Sequence, residues 1–158
     1  MEFSAVDATR SERPFLYQVI AAAIDAGANR ITLCDNAGTM LPEEFAQFID
    51  DVCANVPSIA STELYVQVSD EMHMTMPCAA SAIGHGAMGV KCTAAPLGFP
   101  TLEEMAHFAR VKGSDMGIAI GLRTTELTHA LKQMDWMLKT HKSEGSPFDN
   151  GVNGETAN

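Results

Sequence analysis

Ala26-Gly27-Ala28-Asn29-Arg30-Ile31-Thr32-Leu33-Cys34-Asp35-Asn36-Ala37-Gly38 is the stretch that decides the fold. Before it, Pro14 suits a first helical turn and the apolar run from Phe15 to Ile24 closes at Gly27, so a helix is expected over about 14–26. Arg30 to Cys34 then reads as a short buried strand, and Asp35 to Gly38 as the turn that ends it. Pro42-Glu43-Glu44 opens the next helix, with its acidic residues at the positive end.

Working outward, the same cycle recurs. A strand is expected near 63–69, a helix of small residues near 75–85 ending before Gly86, and a strand near 88–93. Thr101-Leu102-Glu103-Glu104 has capping-box spacing and starts a helix to about Lys112; Thr124 or Thr125 caps a last one to about Lys139. From Ser143 to Asn158 the chain is rich in Gly, Ser, Asn and Asp and is expected to be a flexible tail. Strict alternation of strand and helix gives an α/β fold with a parallel sheet and right-handed crossovers. A doubly wound sheet and a barrel segment both satisfy it. No glycine-rich phosphate-binding turn follows any strand: Asp35 to Gly38 holds one glycine, and Gly84-His85-Gly86-Ala87 lies at a helix end, which argues against a nucleotide-binding Rossmann domain.

Composition narrows the class. With 158 residues and 46% hydrophobic content the chain is long enough to bury one core. The net charge of −10, with no Lys/Arg cluster, opposes binding to phosphate backbones, so nucleic acid is not expected as a partner. No apolar stretch approaches the length of a membrane span and the N-terminus lacks a basic region followed by an apolar core, so a soluble cytoplasmic protein is expected. Cys34, Cys53, Cys78 and Cys92 are widely spaced and read as buried free thiols of a reducing compartment. Met72, Met74 and Met76 read as flexible core filling, and His85, His107, His129 and His141 lie on or beside helices and are assigned no catalysis.

Four segments in order carry a resemblance: Glu2-Phe3-Ser4-Ala5-Val6-Asp7-Ala8-Thr9-Arg10; Ala26-Gly27-Ala28 through Asp35-Asn36-Ala37-Gly38 to Pro42-Glu43-Glu44-Phe45; the stretch around 64–71; and Val90-Lys91-Cys92-Thr93. Together they resemble the metal-dependent Claisen-condensing acyltransferases, the 2-isopropylmalate, homocitrate and citramalate synthases related to hydroxymethylglutaryl-CoA lyase. The resemblance implies half of a TIM (β/α)8 barrel, strands five to eight with their helices. It divides the chain into a half-barrel (βα)4 over 1–112, a post-barrel helical segment over 113–141 and a tail over 142–158. The family's first strand, which carries an Asp metal ligand and a neighbouring Arg, has no counterpart here, nor does the catalytic histidine that lies downstream of the barrel.

The same resemblance assigns the candidate residues. The family places His-x-His-Asn-Asp at the end of its seventh strand, since residues at i and i+2 face one side and both reach a divalent ion. Counting back from Cys92-Thr93 without gaps puts Gln67-Val68-Ser69-Asp70-Glu71 there. The family's Asn two residues past the Cys-Thr pair falls on Ala95. Gln67, Ser69 and Ala95 therefore occupy ligand positions, and no metal and no other cofactor is expected on this chain, although the family uses a divalent metal and acetyl-CoA. Asp70, Glu71 and His73 offer other donors at a loop where a barrel keeps active residues, with a solvated loop as the plain alternative. Asp35 and Asn36 match an Asp-Thr pair that positions substrate; a turn bonding its own backbone explains them equally well. Ser4, Asp7, Thr9 and Arg10 match the fifth-strand loop, where Arg10 either binds a carboxylate or, the preferred reading, keeps a structural salt bridge. Thr93 matches a strand-eight threonine and reads equally as a polar strand end.

Three functions follow: a degenerate half-barrel of acyltransferase descent, not catalytic alone; the active C-terminal half of a split acyltransferase completed by a partner chain; or a small-molecule-binding module or gene fragment. A half-barrel exposes two unpaired strand edges and, by expectation, an apolar inner face, so a homo-oligomer or a complementary half-barrel chain is expected.

Overall fold

The structure is a computed structural model that describes residues 1–119 and 121–143. Its strands are β1 (Glu2–Ala5), β2 (Arg30–Asp35), β3 (Glu63–Val68) and β4 (Gly89–Val90). Its helices are α1 (Arg13–Asp25), α2 (Pro42–Asn55), α3 (Thr75–Gly84), α4 (Leu102–Lys112) and α5 (Thr124–Ser143). Short 3-10 turns at Ala8–Arg10 and Pro57–Ser61 complete the set. The expected tail lies outside the described residues from 144 onward, and residues 142 and 143, assigned to it from the sequence, continue α5.

All four strands are parallel and stand in the order β1-β2-β3-β4. A doubly wound sheet reverses direction at a switch point; this one never does. Crossovers of one hand all running the same way put the helices on one face, so the barrel reading is the one that holds. The register runs from Glu2 to Arg30 to Glu63, and two residues on from Ser4 to Thr32 to Tyr65 to Gly89.

The helix-covered face forms the core. Ile31 and Leu33 of β2 and Leu64, Val66 and Val68 of β3 are buried against Leu16 and Ile20 of α1, Phe45, Phe48, Ile49 and Val52 of α2, and Cys78 and Ala82 of α3. The α2 residues recur at i, i+3, i+4 and i+7, one stripe of a helix. Each such side chain stabilises by about 1.5–3 kcal/mol, and truncating the fully buried Phe45 to alanine is expected to cost about 3–5 kcal/mol.

The opposite face corrects the expectation of an apolar interior. Strand alternation gives it Glu2, Ser4, Arg30, Thr32, Cys34, Glu63, Tyr65 and Gln67, and all of these but Cys34 are polar side chains. They are bonded to one another. Thr32 donates to Glu2 Oε1 at 2.8 Å, Lys91 Nζ lies 2.6 Å from the same oxygen, and Arg30 bonds Glu63 while stacking 4.4 Å above the Tyr65 ring. Tyr65 in turn lies across Gly89, where an added Cβ would meet the ring at 2.4 Å. Glu2 and Lys91 belong to opposite edges of the sheet, three strand spacings or roughly 14 Å apart along a flat surface. Their contact therefore requires the sheet to be curved, with this face concave.

β4 is shorter than the 88–93 expected. Lys91 N–H still reaches Val66 O on β3 at 2.8 Å, and beyond it the backbone finds partners in the loop: Thr93 N–H donates to Pro100 O at 2.9 Å and Leu102 N–H to Thr93 O at 2.9 Å. The Thr101–Glu104 box at the start of α4 forms as its spacing predicts, with bonds of 3.2 and 2.9 Å in the two directions.

The chain divides into two compact units, Met1–Ile120 and Gly121–Asn158. The second contains α5, steadied by Arg123–Glu126 and Lys139–Asp135 pairs at 2.8 and 2.6 Å. Among the described residues no helix is long and apolar enough to cross a membrane. Cys34 and Cys78 are buried, Cys53 and Cys92 half-buried, and none forms a disulfide.

Candidate functional site at the strand ends

The C-terminal ends of β1 and β2 are knitted together by five of the sequence-predicted residues. Asp7, just past β1, adopts a left-handed conformation with φ 58°, which turns its N–H onto Asn36 Oδ1 at 2.9 Å. Its carboxylate takes Arg10 through Nε and Nη2, both at 2.8 Å. That occupies the planar fork of Arg10 and, through this hydrogen bond first, holds its guanidinium more firmly protonated than usual. The pair is exposed, so it orders the loop more than it stabilises the fold.

Thr9 reaches the other way, donating to Asp35 Oδ1 at 2.7 Å. Gly38 N–H donates to the same oxygen at 3.1 Å. Asp35 is 1% exposed, and its Oδ2 has no hydrogen-bond partner. Alternation along β2 places Asp35 on the helix side with Ile31 and Leu33, and Cys34 on the concave side. The turn geometry thus engages half of the Asp35 carboxylate and leaves the other half unused.

The third strand end closes against this turn. Ser69 N–H donates to Asp35 O at 2.9 Å, continuing the ladder by one bond. Gly38 passes so near that a Cβ there would stand 2.5 Å from Ser69 O. Beyond it, Asp70 accepts from Thr75 N–H at 3.4 Å and faces His73 Nδ1 at 3.2 Å. His73 is itself left-handed, with φ 55°.

Two candidates stand apart. Ser4 lies within β1, level with Thr32 on the concave face. Thr93 turns its hydroxyl onto Ala95 O at 2.7 Å, inside its own loop. A cleft of about 430 Å³ opens beside β4, lined by Ile83, Met88, Val90, Met105, Met116 and Ile118. None of the sequence-predicted site residues lines it.

The fit of a divalent metal is decided by donor chemistry. Gln67 offers a neutral amide, Ser69 a hydroxyl and Ala95 nothing, and Lys91 adds an ammonium one residue past the Val66–Val90 rung. Among the described residues no three His, Cys, Asp or Glu side chains converge. These residues do not fit a divalent ion.

The knitted strand ends, the sequential parallel sheet and the helices on one face match a known group. The HMGL-like family model covers residues 1–134. The chain belongs to the HMGL-like family. It is 44% identical over 121 residues to a 2-isopropylmalate synthase of Aquifex aeolicus, covering 74% of this chain and 23% of that one. It is 37% identical over 131 residues to the 2-isopropylmalate synthase of Shouchella clausii, covering 80% and 26%. Among solved structures it superposes on the Bacillus subtilis HMG-CoA lyase with a TM-score of 0.71 at 15% identity, covering 87% of this chain and 49% of that one. An HMG-CoA lyase from Acinetobacter baumannii gives a TM-score of 0.64 at 15% identity, covering 94% and 50%. The chain thus spans about a quarter of these synthases and about half of these lyases, which fits four units of an eight-unit barrel.

Sequence reasoning missed the concave charge network of Glu2, Arg30, Glu63, Tyr65 and Lys91. The signal was available as a polar residue at every second position: Glu2 and Ser4, Arg30 and Thr32, Glu63, Tyr65 and Gln67.

Proposed function

We propose that this chain is a half-barrel of the acetyl-CoA:2-oxo acid acyltransferase type that has lost its metal site and does not catalyse alone. The observation that carries this reading is the donor set at the strand-seven and strand-eight positions, Gln67, Ser69 and Ala95, set beside a polar face that carries Lys91. A dication placed there would meet two weak neutral donors and an ammonium. Four cysteines without a disulfide among them suit a reducing, cytoplasmic setting.

No chemical step is assigned to the chain by itself.

Calorimetric titration with MnCl2 and with ZnCl2 tests this reading. No heat above dilution is expected, and no thiol release from acetyl-CoA in the presence of 2-oxo acids. Restoring the family ligands with Gln67→His, Ser69→His and Ala95→Asn together is expected to create measurable Zn2+ or Mn2+ affinity without acetyl transfer. Micromolar binding by the unaltered chain, or acetyl transfer by it, overturns the reading.

A further inference from the structure

Both edges of the sheet carry half of one ion pair. β1, with Glu2, and β4, which leads directly into Lys91, each have a single strand neighbour among the described residues. Within one chain Lys91 reaches Glu2 only by spanning the concave face, at 2.6 Å. That contact also fixes the slant of the strands, because it puts the two residues at equal height across the curve.

The pairing register shows where a second copy would fit. Glu2 is level with Arg30 and Arg30 with Glu63, and since Tyr65 is level with Gly89, Glu63 is level with Ala87. In an eight-stranded parallel barrel of shear about eight, register advances by about one residue per strand. Passing from β1 through β4 to the β1 of a second copy takes four steps, hence a displacement of about four residues. The height match of Lys91 and Glu2 gives this displacement its direction, toward the C-terminal end of β4. The residue of β4 opposite Glu2 of the second copy is then Lys91.

We propose that two copies of this chain close into one eight-stranded barrel, with β1 of each beside β4 of the other and Glu2 of each paired with Lys91 of the other. Two-fold symmetry makes both seams alike. The pair that spans the face within one chain is exchanged for two pairs across the seams. The concave face does not oppose closure: Glu2 and Glu63 balance Arg30 and Lys91, and all four are already partnered, so no unpaired charge is enclosed. Closure brings the knitted strand ends of both copies around one mouth. This inference is independent of the metal reading, because it uses no residue at a ligand position.

Light scattering on the full chain at micromolar concentration is expected to give twice its 16.9 kDa. Glu2→Lys and Lys91→Glu, each set like charges at both seams, are each expected to give a monomer with native circular dichroism. Mixing these two variants restores opposite charges at both seams and is expected to regenerate a dimer containing one of each. Oxidation of the double variant Glu2→Cys with Lys91→Cys is expected to yield a covalent dimer, which reads the seam without reversing charge. A unaltered chain that stays monomeric, a dimer indifferent to both reversals, or a mixture that stays monomeric overturns the proposal.

Discussion

Gly38 lies against the carbonyl of Ser69, so that a methyl group at position 38 would stand 2.5 Å from that oxygen. The residue joins two strand ends through backbone alone, and it does so at φ +61°, a region in which a side chain is strained in any case.

Gly38→Ala is therefore expected to destabilise the half-barrel by at least about 1–3 kcal/mol, the range for a strained backbone position, with the clash adding to it. Urea denaturation followed by circular dichroism measures this. Gly27→Ala, at a position with φ +100° but nothing within 4 Å, separates the two causes, since it carries the strain without the clash and is expected to cost less.

Asp35 gives a ranked series. Asp35→Ala removes the acceptor of both Thr9 and Gly38 and is expected to cost the most, about 1–3 kcal/mol for the buried groups left unpaired. Thr9→Val removes one donor of the two and is expected to cost less. Asp35→Asn keeps an acceptor for both donors in a side chain of the same shape, and is expected to be the mildest. A different order in chemical denaturation would show that Oδ1 is not the engaged oxygen.

Glu2 makes part of the stability dependent on pH. Its hydrogen bond from Lys91, and then that from Thr32, hold its carboxyl below the ordinary 4.5, with Arg30 adding attraction and partial burial opposing. A depressed folded-state value means stability that is present above the ordinary value and lost as pH falls through the folded one. The acid limb of unfolding, from about pH 5 downward, is expected to be shallower in Glu2→Gln than in the unaltered chain. Equal slopes would mean that the Lys91 contact does not persist in solution.

The cysteines are expected to be poor nucleophiles. Burial pushes the Cys78 thiol up to about 11, with the nearby Asp35, Glu43 and Glu44 carboxylates adding to it, and burial raises Cys34, Cys53 and Cys92 as well. At pH 8 an aromatic disulfide reagent should react slowly with the native chain and rapidly with all four thiols in denaturant. A fast native phase assigned to Cys78 by mass spectrometry would contradict its packing and its bond to Met40 O.

What was readable in advance was whatever local chemistry determines. Thr101 and Glu104 announce the start of α4 because the capping box needs only residues three apart, and Gly27 closes α1 through its own φ. β4 was overestimated because its length depends on where the backbone of Thr93 finds partners, and those lie at Pro100 and Leu102. The strand ends were found by resemblance, but the engagement of Arg10 by Asp7 and of Asp35 by Thr9 depends on the approach of separate loops. The concave network is hidden by taking Arg30 to Cys34 as one buried strand, although Arg30 and Thr32 alternate with Ile31 and Leu33.

The division of the chain also separates its chromophores. The sole tryptophan, Trp136, sits in α5 within the second unit, while both tyrosines, Tyr17 and Tyr65, sit in the first. Indole emission therefore comes from α5, and phenol absorbance at alkaline pH from the half-barrel, where the Tyr17 hydroxyl is held protonated by its bond to Asp51. Two optical channels on one unlabelled sample can thus follow the two units separately.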